Sequence, residues 1–257
     1  MGSPEERGRK GSWRQKQVGV LTIHPFLAWQ LAVLLLILVA GGSWSVRTAR
    51  LTPAAAVTGA LIGLATWLGA GATGFAMLTA FFVLGTAATK WKGDRKYGAE
   101  RGERRTTGQV LANGGAAGVL GLCAFWLPAH REPLVLCMAA SLASATADTL
   151  SSELGTLYGR RFYNILTWRR DRCGLDGVVS LEGILIGIAG SAILALIHAA
   201  GSGLGWPFAV IVAAGTAGNL ADSVLGAALE RKHLLSNNAV NALNTAIAAA
   251  LAAVMAA

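Results

Sequence analysis

The chain is short of charge. Only 14% of its 257 residues are Asp, Glu, Lys or Arg, against about 25% in an ordinary soluble domain. Acids are the scarcer sign, 13 beside 22 Lys and Arg. The three cysteines, Cys123, Cys137 and Cys173, are an odd number with neither CxxC nor Cys/His spacing, which argues against a disulfide framework and a zinc site. No GxxxxGK[ST] occurs, so a P-loop nucleotide site is excluded. A repeat of fixed period is absent too.

What fills the chain is apolar. Hydrophobic residues make up 54%, and 33 glycines suit close helix packing in lipid. A spanning helix needs roughly 20 apolar residues. Candidate segments are 20–41, 54–70, 74–89, 107–127, 133–155, 179–200, 206–229 and 238–257. The expected fold class is therefore all-α, a polytopic transmembrane helical bundle of 7–8 membrane helices. Residues 54–89 as one straight helix would measure about 54 Å, too long for one crossing. Gly69-Ala70-Gly71-Ala72-Thr73-Gly74 supplies a break, so the stretch is either a short-helix pair or a re-entrant unit. Gly59/Gly63, Gly114/Gly118 and Gly183/Gly187 are candidate helix-packing faces. Residues 1–19 read as a polar basic leader and 20–257 as a single integral membrane domain. The first apolar run is read as a retained helix rather than a cleaved signal, because a long polar leader precedes it and further spans follow.

The cations lie in the gaps between apolar runs. Gap 90–106 holds seven, 156–178 five and 230–237 two, whereas 128–132 holds one and 201–205 none. Two crossings separate each of the three basic gaps from the next, so they share a side, and the positive-inside rule makes that side cytoplasmic. The leader, with five cations, sits outside if 54–70 and 74–89 both cross. It sits inside if they form a re-entrant unit, which fits the charges better. Topology accounts for the positive charge, so no nucleic-acid partner is expected.

Polar residues form stripes at helical spacing. Gln109 and Asn113 are i, i+4; Asn219, Asp222, Ser223 and Gly226 follow i, i+3, i+4, i+7; Asn237, Asn241 and Asn244 follow i, i+4, i+7. Asp176 pairs with Ser180, and Asp148 with Ser152, at i, i+4. Every stripe adjoins a basic gap. Asp222 lies nine residues before Arg231 and Asn113 eight after Arg105, so each is recessed about 12–14 Å behind those cations. Asn and Ser stripes serve as hydrogen-bond glue between helices. Buried acids at that depth cost about 2.5–3.5 kcal/mol each and need partners. An arginine is one such partner. A divalent cation is the other, since carboxylate and amide oxygens are the hard ligands Mg²⁺ prefers, usually completed by phosphate oxygens. Glu153 stands about 140° around the helix from Asp148, so both reach one ion only if the helix breaks near Gly155.

Four ordered stretches carry a resemblance. They are Phe81-Phe82-Val83-Leu84-Gly85 through Lys90 and on to Gly108-Gln109-Val110-Leu111-Ala112-Asn113-Gly114-Gly115; Ser144-Ala145-Thr146-Ala147-Asp148-Thr149 with Ser152-Glu153-Leu154-Gly155; Gly174-Leu175-Asp176-Gly177-Val178-Val179-Ser180 with Gly183; and Asp222-Ser223, Gly226-Ala227, Asn237-Asn238 and Val240-Asn241. Over roughly residues 50–257 the chain resembles the integral membrane domain-of-unknown-function 92 family, that of transmembrane protein 19 and the phytyl-phosphate kinases. The resemblance implies an all-helical bundle that moves a phosphoryl group from a nucleoside triphosphate, CTP foremost, to an isoprenoid monophosphate in the bilayer. Leu175-Asp176 departs from the usual small residue and polar partner, so Asp176 is not carried over as a ligand.

On this reading Asp148, Glu153 and Asp222 hold Mg²⁺ and, with Asn113, form the catalytic set. Lys90, Lys92, Arg104 and Arg105 bind phosphates, while Gln109, Ser180, Asn219, Ser223, Asn237 and Asn241 position nucleotide and acceptor. Two alternatives stand beside it. Another CTP-using lipid-phosphate transferase is the first, although DGxxAR with GxxxDxxxD and the aspartate-rich DDxxD or NDxxD are all missing. The second is a non-enzymatic lipid or anion transporter, against which the polar residues gather on one side only.

Overall fold

The computed structural model describes residues 25–92 and 104–257. The leader 1–19 and the loop cations Arg95, Lys96 and Arg101 lie outside the described residues. The described chain forms α1 (Pro25–Arg47), α2 (Pro53–Lys90), α3 (Thr107–Trp126), α4 (Arg131–Tyr158), α5 (Leu181–Ser202), α6 (Trp206–Ala228) and α7 (Asn237–Ala256). All seven are long and apolar enough to cross a membrane. Observed bounds follow the apolar runs to within a few residues, because in lipid the backbone satisfies itself only as helix. The loop after α4 adds one departure from a purely helical chain, a two-residue antiparallel pair, β1 (Tyr163–Asn164) with β2 (Val178–Val179).

Helix α2 is a hairpin. Gly71 adopts φ 60°, ψ −145° inside it, a conformation open to glycine and strained for other residues. The two legs fold against each other: a methyl at Gly63 would meet Phe75 and Leu78, and one at Gly74 would meet the Thr66 carbonyl. Both legs cross. The hairpin starts beside the start of α3, where Arg105 N–H donates to the Arg50 carbonyl at 2.9 Å and Thr52 N–H to the Arg105 carbonyl at 3.1 Å. Its turn reaches the other end of the bundle, where Arg131 Nε donates to the Gly69 carbonyl at 2.8 Å. The short-helix pair is thus the arrangement present. Helix α1 runs antiparallel to the first leg, with Gly42 at Ala56 and Leu38 at Gly63. Its first turn is therefore on the face opposite Arg105. The re-entrant unit favoured by charge counting is replaced by two crossings, because the Gly69–Gly121 contact lets the hairpin follow α3 to the far end.

The two faces differ in how their helices begin. On the basic face α2, α3, α5 and α7 start, and each has a side-chain cap: Thr52, Thr106, Ser180 and Ser236 accept from backbone N–H groups. On the opposite face α4 and α6 start without one. The hydroxyls satisfy orphan N–H groups worth about 1 kcal/mol each. They also leave four positive helix ends on the face that carries the cations.

Helix α4 is the axis of the bundle and packs against α2, α3, α5, α6 and α7. Residues Leu136–Ala147 are buried without interruption. Sheathed by protein rather than lipid, α4 can carry Ser, Thr and acids that an outer helix could not. Small residues bring the sheath close. Gly183 sits on Gly155, Gly187 on Ala147 and Asn219, Gly215 on Ala143, and Gly114 and Gly118 on Ile62. At the α2–α3 crossing a methyl on Gly121 would lie 2.5 Å from the Ala65 carbonyl oxygen, whereas one on Gly115 meets nothing within 4 Å. Gly121→Ala should therefore lower stability by about 1–3 kcal/mol, and Gly115→Ala should leave it unchanged or raise it by about 0.5–1 kcal/mol, measured by denaturation in detergent. Equal effects would contradict the crossing.

Candidate functional site

The centre of the site lies where α4, α6 and α7 meet below the basic face. Asp148 on α4 and Asp222 on α6 bring their carboxylates into direct contact. From α7, Asn244 Nδ2 donates to Asp222 Oδ1 at 2.7 Å, and its Oδ1 accepts from Ser144 Oγ at 3.1 Å. Asn244 is fully buried. One turn earlier, Asn241 places one end of its amide 3.2 Å from both Asp148 Oδ2 and Asp222 Oδ1. An amide can present either end. With nitrogen inward, Asn241 donates to both acids. With oxygen inward, its Nδ2 donates to Asn237 Oδ1 at 3.1 Å and three oxygens face one another.

That second arrangement decides what the residues could hold. Like charges in contact repel unless a proton or cation lies between them. Oxygens sharing one small divalent cation stand about 3 Å apart. Among the described residues no ion pair to either acid is seen; Arg231 pairs with Asp171 instead. Two carboxylates and an amide oxygen at this spacing fit a hard divalent cation.

Glu153 does not join them. Among the described residues no three His, Cys, Asp or Glu side chains are grouped to hold a metal, so the expected Asp148–Glu153–Asp222 trio is corrected to a pair. The reason is the 140° turn along α4. Asp148, Ser144 and Ser151 look toward α6 and α7, whereas Thr149 and Glu153 look toward the second leg of α2 and Arg105. The Arg105 guanidinium and Thr149 both lie against Gly85, and the guanidinium is 6.0 Å from the Phe81 ring centre. Burial lowers its pKa from the usual value, and the facing Glu153 carboxylate works the other way.

The remaining expected residues sort by what their side chains touch. Lys90, Lys92 and Arg104 are exposed at the rim; Lys92 Nζ lies 5.9 Å and 5.3 Å from the Trp91 and Tyr158 ring centres. Gln109 closes a capping box, its Oε1 accepting from Thr106 N–H at 2.9 Å. Ser180 Oγ accepts from Gly183 N–H at 3.1 Å as the cap of α5. Both side chains cap helix starts. Asn219 is buried between helices, its Oδ1 accepting from Ser151 at 3.0 Å, and Ser223 donates back to the Asn219 carbonyl. Asn113 Nδ2 donates to the Gln109 carbonyl at 3.0 Å, while its buried Oδ1 meets no donor among the described residues. Asn244 and Ser144 join the acid pair beyond the residues expected from the sequence. The i, i+4, i+7 spacing from Asn237 already carried Asn244.

A folded loop, residues 159–180, lies over this centre. Gly177, at φ 69°, packs directly on Ser223 and Ala227. A side chain there would collide with α6, so the glycine sets Asp176 beside Gly226, one turn beyond Asp222.

The family described as Integral membrane protein DUF92 matches residues 33–249. The chain belongs to this family. A chloroplastic protein of Arabidopsis thaliana, VTE6, is 33% identical over 208 residues, 76% of this chain and 62% of VTE6. A membrane protein of Synechocystis sp. is 34% identical over 203 residues, covering 75% of this chain and 77% of the relative. One from Methanocaldococcus jannaschii is 33% identical over 175 residues, covering 66% and 71%. No solved structure matches. The family match covers α4, α6 and α7 as far as Ala249, and so includes Asp148, Asp222, Asn241 and Asn244. The chain is thus an integral, multi-pass membrane protein.

Removing Asn244 leaves Asp222 and Ser144 without their shared buried partner. Asn244→Ala should cost about 1–3 kcal/mol in detergent denaturation. Asn244→Asp would put a third carboxylate beside the pair, and its melting temperature should fall further and recover on adding Mg²⁺. No recovery of Asn244→Asp on adding Mg²⁺ would argue against a site at this point.

Proposed function

We propose that the protein transfers a phosphoryl group from a nucleoside triphosphate, CTP foremost, to an isoprenoid monophosphate at the cytoplasmic membrane face. The observation that carries this reading is the contact of Asp148 and Asp222 with Asn241, recessed below a face lined with cations and positive helix ends. The VTE6 relative and the resemblance of the four motifs to phytyl-phosphate kinases support it.

Asp148, Asp222 and Asn241 would hold Mg²⁺, which when bound offsets the negative charge of the phosphates. The chain's own residues supply the rest. Ser144 and Asn244 keep Asp222 turned toward Asp148. Arg105, inserted beside Glu153, and the rim residues Lys90, Lys92 and Arg104 balance phosphate charge from the aqueous side. Asn113 offers a buried acceptor one helix away. A phosphomonoester acceptor carries about −1.5 to −2 charge at pH 7, so its attacking oxygen needs no general base. That oxygen bonds to the γ-phosphorus as the bond from the γ-phosphorus to the β,γ-bridging oxygen breaks, and the nucleoside diphosphate leaves. The site therefore has to supply alignment and charge balance. The apolar helices around α4 hold the isoprenoid tail in the bilayer.

Purified protein with Mg²⁺, a phytyl or geranylgeranyl monophosphate and CTP, ATP or UTP in turn should yield the prenyl diphosphate and nucleoside diphosphate by mass spectrometry. Asp148→Ala and Asp222→Ala should lower turnover about 10²–10³-fold. Asp222→Asn should melt higher than wild type without Mg²⁺, since it relieves the carboxylate contact, and should lose the Mg²⁺-induced rise. No product from any prenyl monophosphate would sink the reading; a CDP-lipid product would replace it with cytidylyl transfer.

A further inference from the structure

The loop over the acid pair is pinned by an arginine that the phosphate-binding set above leaves out. Arg231 follows α6 in a 3-10 turn, Glu230–Lys232. Its guanidinium is held at two corners. Nη1 donates to Asp171 Oδ2 at 2.8 Å, and Nε donates to the Asp176 carbonyl. Arg172 N–H and Arg231 keep the Asp171 carboxyl below the usual carboxylate range, so the pair persists into mildly acidic conditions. The third corner, Nη2, is fully buried and meets no acceptor among the described residues.

A buried guanidinium N–H without an acceptor is costly, and its neighbours say what kind of acceptor the place suits. Asp176, whose carbonyl holds Nε, is close enough to act electrostatically on Asp222. Glu230, next in the chain, does the same to Asp148. Gly177 seats this loop on Ser223 and Ala227, within a turn and a half of Asp222. A fixed cationic fork on the segment packed against α6, whose neighbours Asp176 and Glu230 act on the acid pair, suits a ligand that is itself anionic and brings or shares a cation. Phosphate oxygens have that chemistry, and arginine's fork matches them.

We propose that Arg231 binds a phosphate oxygen of the substrate through Nη2, with Asp171 and the Asp176 carbonyl as the positioning groups that aim it. The proposal deepens the kinase reading and rests on it for the identity of the substrate. The phosphate belongs either to the nucleotide or to the isoprenoid monophosphate, and KM measured for each tells them apart. Arg231→Lys keeps a charge that can reach Asp171 but loses the fork. Arg231→Gln loses both, and Asp171→Asn weakens the aim while keeping Nη2.

The experiment uses the full chain in detergent. The first readout is the rise in melting temperature caused by inorganic pyrophosphate with excess Mg²⁺; the second is KM for nucleotide and for prenyl monophosphate. Arg231→Lys and Arg231→Gln should both lose the pyrophosphate-induced rise and raise one KM about 10- to 100-fold. Asp171→Asn should fall between them and wild type. The rise caused by Mg²⁺ alone should stay in all three. The inference is overturned if pyrophosphate fails to stabilise the wild type, or if Arg231→Lys behaves as wild type. It is likewise overturned if Asp171→Asn matches Arg231→Gln in full, which would make Arg231 only a staple for the loop. Absence of turnover with every prenyl phosphate would count against the kinase reading alone, because the pyrophosphate comparison still decides Arg231.

Discussion

Two carboxylates touch inside a bundle made for lipid. That contact is the constraint around which the rest is arranged. Neither Asp148 nor Asp222 could face hydrocarbon, so the helix that carries Asp148 must be wrapped on every side. The wrapping explains the small residues along α4 and along the helices that cross it, since five neighbours fit around one helix only when backbones approach closely. It also explains why α4 is the least apolar of the spanning helices. A lipid-facing helix is recognised by its hydropathy, but a sheathed one can spend its positions on Ser, Thr and acids.

The same contact organises the polar neighbours. Asn244, Ser144 and Asn241 give Asp222 and Asp148 defined orientations, and no cation from the described chain neutralises them. Positive charge is present, but it is kept at a distance. Arg105 is turned to Glu153, Arg231 to Asp171, and Lys92 to the rings of Trp91 and Tyr158. Cations and acids are thus both abundant on one face, and side-chain geometry keeps the acid pair separate from the cations. A bundle selected only for stability would have paired them.

The helices and the face where cations and polar stripes gather were legible in the sequence. Apolar runs mark spans strongly, and the Asn237–Asn241–Asn244 spacing survives folding because a helix preserves it. The break in α2 was legible as a glycine-rich stretch, but its hairpin needed the Gly69–Gly121 contact, which joins residues about fifty positions apart. Gln109 and Ser180 illustrate a different loss. Both stand in capping patterns, Thr106-x-x-Gln109 and Ser180-x-x-Gly183, that local reading could have recognised. Glu153 was separable by angle alone. The insertion of Arg105 and the folding of 159–180 over α6 depend on contacts between distant segments, and no local pattern announces those.

The α2 hairpin has one further consequence for the membrane. Its legs, 53–70 and 72–90, are about 27–28 Å long as straight helices, shorter than the roughly 30 Å hydrocarbon layer they would match. A bilayer matched to these legs would be slightly thinner beside α2 than beside the longer helices, so a thick, sterol-rich membrane would fit the hairpin less well than a thin one.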